Sequence, residues 1–346
     1  AFAENDHAQA FLNNDGLIDV AAIATAVGTS NDATANADAT GVYQEVDSDQ
    51  GDLGTADATL DNSGSILVGA SATASSNITA RANAGAAGII QDADGEIDSQ
   101  ARITNSSSES IEVVAGANAS ATGFGAAYAD ADGTGIDQFA DSDDGTASGY
   151  IDNTGTIDVQ VLATAGPQSG AATASADATG VRQNIVADSE GTGRVTNTSS
   201  DSINVLALAY AMSTSASAGG QIYADADADA IYQEVFSEET EEARAEIVNE
   251  GSISASSYAN ASGNLTGGTV IASADARGIY QSADGEVDAS GDILNTSSSS
   301  IDVTAVGTAI GSGNANAEAT NVDATGIDQE VEGEHGEALA EIANSG

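Results

Sequence analysis

The stretch Ala272-Ser-Ala-Asp-Ala-Arg-Gly-Ile-Tyr-Gln281 decides the fold, because close versions of it recur from one end of the chain to the other. Each version closes on Gly/Ala-Ile/Val-x-Gln, at 41–44, 88–91, 135–138, 180–183, 230–233, 278–281 and 326–329. The closing residues Gln44, Gln91, Gln138, Gln183, Gln233, Gln281 and Gln329 are 47, 47, 45, 50, 48 and 48 residues apart. A period of this size, held over seven units, marks a repeat architecture rather than a globular enzyme. Side chains of a strand alternate between faces, so Ala272, Ala274, Ala276 and Gly278 share one side, and Ile279 and Gln281 share the other. Both sets reach one core if the chain bends or bulges at the glycine, whose backbone freedom suits that position. The residue before each Gln is Tyr43, Ile90, Asp137, Arg182, Tyr232, Tyr280 or Asp328, a variety that fits a solvent-facing site. The Gln itself is then expected to point inward, hydrogen-bonded to its counterparts in successive layers as an amide ladder.

A second box alternates with the first. Its Asn stands at Asn14, Asn62, Asn105, Asn153, Asn197, Asn249, Asn295 and Asn344, with Leu, Ile or Val one or two residues before it. The short spelling is Asn62-Ser-Gly-Ser-Ile66, Asn153-Thr-Gly-Thr-Ile157 and Asn249-Glu-Gly-Ser-Ile253; the long one runs over 105–111, 197–203 and 295–301. Asn-x-Gly is a turn signal, since both residues tolerate left-handed backbone angles. After the turn, Ile301, Val303, Ala305, Gly307 and Ala309 alternate with Asp302, Thr304, Val306 and Thr308 in the period of a strand. No convincing helical period occurs. Each unit reads as strand, Asn-Gly corner, Ala-rich strands, Gly-Ile-x-Gln strand and acidic loop.

Stacked units of this kind make an all-β fold, a parallel β-helix or β-solenoid of about seven repeats of ~48 residues, running over 1–346 as one continuous domain. A unit this long is expected to supply two coils of ordinary size. Residues 331–346 align without a gap on 1–16, so the stretch is expected to be a window of a longer array or one subunit of a filament that grows end to end.

The short boxes and the Gly-Ile-x box resemble the repeats of bacterial autotransporter passenger domains and filamentous haemagglutinin-type adhesins. The resemblance covers the whole chain and implies a right-handed parallel β-helix, exported and displayed outside the cell or on its surface. The longer Ala-alternating arms, the recurrent Gln and the extreme acidity depart from those repeats.

Composition narrows the function classes. Against 54 Asp and Glu stand 6 basic residues, all Arg, for a formal net charge of -48. Nucleic acid and anionic membrane surfaces are repelled by such a chain; cations and basic partners are attracted. No apolar run is long enough to insert in a bilayer, and no cysteine is present to cross-link the fold. Alanine supplies much of the apolar content, so the core must be thin, with backbones packed closely.

No catalytic residues are expected: His7 and His335 are the only histidines, and no Ser/His/Asp or Cys/His set assembles around a recurring pocket. The acids after each Gln should stack into a stripe, and like charges ~4.8 Å apart repel by about 0.9 kcal/mol even at the dielectric of water. Calcium is the expected neutraliser, at Asp47, Asp49, Asp92, Asp94, Asp130, Asp132, Asp141, Asp143, Asp284 and Glu286, because oxygen-rich Asp-x-Asp-Gly segments suit its coordination; bulk salt is the rival. Asn-x-Ser/Thr triplets recur at the long corners, where unmodified Asn is favoured over glycosylation. The leading expectation is a non-enzymatic extracellular structural protein of a fibre, sheath, matrix or stalk. A cell-surface adhesin for a receptor or glycan is the alternative, and a polysaccharide-cleaving β-helix enzyme a remote third.

Overall fold

A computed structural model describes the chain apart from residues 1, 5–6, 51–53, 107–109, 124, 199–201, 217–219, 239–241, 266, 297 and 346. The described residues form strands joined by short turns, with no helix among them, and all strand pairs are parallel.

Three sheets run the length of the stack. Sheet A contains Phe2–Glu4, Ala33–Gln50, Ala80–Gly95, Ala127–Ser142, Ala172–Ala187, Gln221–Ser237, Thr269–Gly285 and Asn316–Gly333. Sheet B contains His7–Asn14, Thr55–Asn62, Asp98–Asn105, Thr146–Asn153, Gly191–Asn197, Glu242–Asn249, Asp288–Asn295 and Ala338–Asn344. Sheet C contains Leu17–Gly28, Ser65–Ser76, Ser110–Ala121, Thr156–Pro167, Ser202–Ala216, Ser252–Leu265 and Ser300–Gly313. Each unit is therefore one coil of three strands. The chain runs along sheet B, turns at the Asn corner into sheet C, and returns through a long strand of sheet A that packs against both.

The expectation of two coils per unit is overturned by register. Gln44 lies beside Gln91 and Asn62 beside Asn105, so like boxes stack directly on like boxes. Two coils per unit would have put a Gln box against an Asn box, whose shorter side chain holds its amide closer to the backbone. At ~4.8 Å per layer the seven coils rise about 34 Å.

Why these residues form this coil follows from three columns of branched side chains. Ile66, Ile111, Ile157 and Ile203 stack in sheet C; Ile89, Ile136, Val181 and Ile231 in sheet A; Leu60, Ile103, Ile151 and Val195 in sheet B. All are fully or almost fully buried, and they belong to one core cluster. Burying one such side chain stabilises by roughly 1.5–3 kcal/mol. Alanines such as Ala82, Ala117, Ala129 and Ala163 fill the remainder between sheets A and C. A second, smaller cluster, with Ala58, Ala93, Ala101, Ala140 and Ile185, lies between sheet B and the far half of sheet A.

The bend in sheet A sits at the glycine of the repeat. Gly88 and Ile89, Gly135 and Ile136, and Gly278 and Ile279 are consecutive and both buried, so the inward parity slips by one residue there. The reason differs from the expected one. None of these glycines has a positive φ; among the described residues, the glycines with positive φ are Gly170, Gly267 and Gly313. What favours glycine is space, although Ala230 holds a Cβ at the equivalent place in its coil: a Cβ on Gly135 would stand 2.5 Å from the Gly180 carbonyl oxygen and 2.7 Å from Cγ2 of Ile157. Among the described residues, the Asn-Gly corners also keep out of the left-handed region.

Gly135→Val should therefore destabilise the fold by about 1–3 kcal/mol through overpacking. Gly69→Ala, where a Cβ meets nothing within 4 Å, should leave stability unchanged or slightly raised. Urea denaturation of both variants checks the contrast.

Candidate functional site

The features repeated in every coil are two internal amide ladders and the charged outer face of sheet A. Asn14, Asn62, Asn105, Asn153, Asn197, Asn249 and Asn295 each donate from Nδ2 to Oδ1 of the Asn one coil further along, at 2.7–2.9 Å. The corner backbone repeats the pattern: the amide after each Asn donates to the Asn carbonyl one coil back, as Ser106 does to Asn62 and Thr154 to Asn105. At Asn14 and Asn153 the side-chain oxygen also accepts from the corner glycine, Gly16 or Gly155, and so closes the turn locally.

The glutamines run the other way. Gln91, Gln138, Gln183, Gln233, Gln281 and Gln329 donate from Nε2 to Oε1 of the preceding Gln, at 2.7–2.9 Å. The second proton goes across the core to a sheet B carbonyl: Arg102 for Gln91, Tyr150 for Gln138, Arg194 for Gln183, Glu246 for Gln233 and Asp292 for Gln281. Gln44, in the first coil, uses the carbonyls of Ala10 and Thr59. Space for the amide comes from small residues opposite it, Ala58, Ala101, Gly149, Gly193, Ala245 and Gly291, stacked in one column of sheet B. A Cβ on Gly193 would meet Gln183 Oε1 at 2.9 Å. This column escaped sequence reasoning, yet its signal is simple: Ala or Gly four residues before every Asn of the box.

The acids divide into two groups. Asp47, Asp94 and Asp141 stack in three consecutive coils, but Val186 and Phe236 separate them from Asp284 in the same column. Burial raises the carboxyl of Asp92, helped by Glu45, Asp141, Asp137 and Asp47. Burial likewise raises Asp141, with Asp143 beside it, and Asp284, with Glu334 beside it. Asp143 and Glu286 lie in the turns after sheet A. The side chain of Asp49 lies outside the described residues.

The tighter group is on the first half of sheet A. Asp132, Asp177, Asp227, Asp275 and Asp323 occupy one column in five consecutive coils, with Asp38 in line beyond Gly85. Asp130, Asp132 and Asp177 hold carboxylate oxygens all within 4.8 Å of one another, so two of the expected calcium ligands come together with a third that sequence reading missed. Asp177 belongs to a set legible in hindsight as the residue three before each repeat glycine. Burial, then Asp227 and Asp132, push Asp177 up to about 7; burial, then Asp225 and Asp275, push Asp227 up to about 6. A side-chain hydrogen bond between the two adds to the rise at Asp177 and opposes it at Asp227. Beside them a shallow cavity is lined by Asp177, Thr179, Arg182, Asp229 and Arg277. Arg277 forks onto Asp229 at 2.8 and 3.1 Å and lies over the Tyr280 ring, which stacks on Tyr232. His7, paired with Thr55 and Asp57 in the first coil, is remote from His335, which faces the Glu286 carbonyl in the last.

Compared with known proteins, the chain matches no family model, no curated protein and no solved structure. Function must be argued from its own geometry.

Gln281→Leu removes the donor to Gln233 and the acceptor of Gln329 while adding no charge. It should cost about 1–3 kcal/mol of stability, the penalty of buried groups left unsatisfied, and a thermal melt that matches the wild type would contradict the ladder's role.

The aspartate column makes a second prediction. From the ordinary carboxyl value of 3.8 up to about 7, the folded column holds protons that the unfolded chain has released. Stability should therefore fall as pH rises through that window. Asp177→Asn combined with Asp227→Asn should raise the melting temperature at pH 8 and flatten its decline from pH 5. Identical wild-type melting temperatures at pH 5 and pH 8 would refute the column's contribution.

Proposed function

We propose that this chain is a non-enzymatic structural protein of the cell exterior, a stretch of fibre, sheath, matrix or stalk made by stacking acidic coils. The observation that carries the reading is the continuity of both amide ladders: every coil makes the same internal contacts with the next, so the repeat serves length rather than a singular pocket. Successive coils come from one long chain or from copies stacked head to tail. Cations, calcium among them, screen the stacked carboxylates; Asp130, Asp132 and Asp177 are the group best arranged to meet one.

A second reading, an adhesin for a receptor or glycan, draws on one departure from uniformity. Two of the six arginines, Arg182 and Arg277, and the stacked pair Tyr232 and Tyr280 gather on sheet A around the Asp177 cavity. Aromatic faces beside charged groups are the chemistry of sugar recognition. The structural reading is preferred because this patch spans three of seven coils, whereas the ladders span all of them.

Electron microscopy of the protein in its native salt should show thin, unbranched filaments; discrete short particles at high concentration would overturn the reading. Unfolding followed with and without excess chelator at fixed ionic strength should show a lower midpoint in chelator. Equal midpoints would assign the screening to bulk salt.

A further inference from the structure

The outer face of sheet C differs from the other two. Beyond its first rungs, the segments 21–28, 69–76, 114–121, 160–167, 206–213, 256–263 and 304–311 contain no charged residue. A single strand of sheet A, Gln221–Ser237, carries Asp225, Asp227, Asp229 and Glu234 on its outward side. In their place sheet C turns outward Ile23, Val114, Leu162, Met212, Val306 and Ile310, each 40% or more exposed. Leu162 and Val306 fall in one column with Leu208 and Tyr258 between them, and Met212 and Ile310 fall in another, beyond the column of Thr164, Tyr210, Asn260 and Thr308. In a chain of net charge -48, such an area is a large exception.

We infer that this face is a lateral interface, on which two copies of the chain pair sheet C against sheet C.

Size supports a second copy as occupant. Seven strands at ~4.8 Å by eight residues at ~3.3 Å make about 900 Å², against the roughly 800 Å² per partner of a stable protein complex. Charge supports it too. Two copies repel each other through every other face, whereas pairing on sheet C leaves the acids of sheet A behind the thickness of the coil. That thickness, ~10 Å between stacked sheets, is about one Debye length at physiological ionic strength. Asp19, Glu112, Asp158 and Asp302 fall in one column at its corner-side border, interrupted by Leu67, Asn204 and Ser254. They make the pairing weaker at low salt and stronger at high salt. Two flat parallel-strand faces of this kind pack as aligned layers, with the branched side chains of one set between those of the other. The contact is self-complementary, closes on two copies, and does not depend on the axial stacking proposed above.

Sedimentation equilibrium of the purified protein, over a range of concentrations and at two salt levels, tests the proposal. At concentrations below those at which filaments form, the wild type should reach twice the chain mass, with association rising with salt, and small-angle scattering should show a particle thickened rather than lengthened. Leu162→Glu with Met212→Glu should return it to the single-chain mass. Gln100→Glu with Ser148→Glu, which adds the same charge on the outer face of sheet B, should leave the doubled mass intact. Leu162→Ser with Met212→Ser, gentler to the fold, should weaken association at least tenfold, and circular dichroism should show that each variant keeps its strand content. A wild type that stays at single-chain mass, a doubled mass that survives the sheet C variants, or doubling by length alone would each overturn the proposal. So would a monomer that floats with neutral phosphatidylcholine vesicles only when this face is intact, since the occupant would then be a lipid surface.

Discussion

Buried amides that can satisfy one another only through an identical neighbour are the constraint on which this structure depends. A core of alanine supplies little apolar area per residue, and the branched columns alone would tolerate a strand sliding along its own direction by two residues, which preserves which side chains face inward. The Gln and Asn side chains do not tolerate it. A slip of two residues would carry Gln138 past Gln91 and Gln183 and leave buried donors and acceptors without partners, a penalty paid at every coil. Register is thus held by polar groups, while cohesion comes from Ile, Val and Leu. The small residues opposite, such as Gly149 and Gly193, complete the arrangement by making room for the amide.

Much of this was legible in the sequence, because repetition turns a weak local pattern into a strong one. Parity alone puts Gln281 on the side of Ile279, and both are buried. The variable residue before each Gln lies outward, as its tolerance of Tyr, Ile, Asp and Arg suggests. What parity could not supply was the number of coils per unit, since a strand pattern is the same whether its neighbour comes from half a unit away or a whole one. Nor could it supply the partner of the Gln, because the facing column of Ala58, Ala101 and Gly149 sits in a different strand and looks like ordinary small-residue filler. Asp177 was overlooked for a related reason. It stands inside the alanine-alternating arm, away from the conspicuous acidic turns, and its significance lies in the counterparts above and below it.

The electrostatics show the opposing side of exact repetition. The register that aligns amides also aligns carboxylates, and at Asp132, Asp177, Asp227 and Asp275 all four carboxyls are raised, with burial the first cause in each. Bound protons and nearby cations are the available reliefs, along with cross-coil pairs such as Arg102 with Asp152 and Arg277 with Asp229. Six arginines are too few to neutralise 54 acids. The fold therefore depends on its solution more than an average domain does.

The two ladders point in opposite senses, since each Asn donates toward the later coil and each Gln toward the earlier one. Their amide dipoles consequently oppose each other along the stack axis, and the length of the stack adds little net moment from this source. A chain with two parallel ladders would build up a dipole coil by coil, with increasing charge separation at its ends. The antiparallel arrangement also makes the stack vectorial in a chemical sense. A coil joining in the same direction meets a donor with an acceptor at both ladders, whereas an inverted coil meets donor with donor at one and acceptor with acceptor at the other. Direction is written twice in each layer, once in each amide.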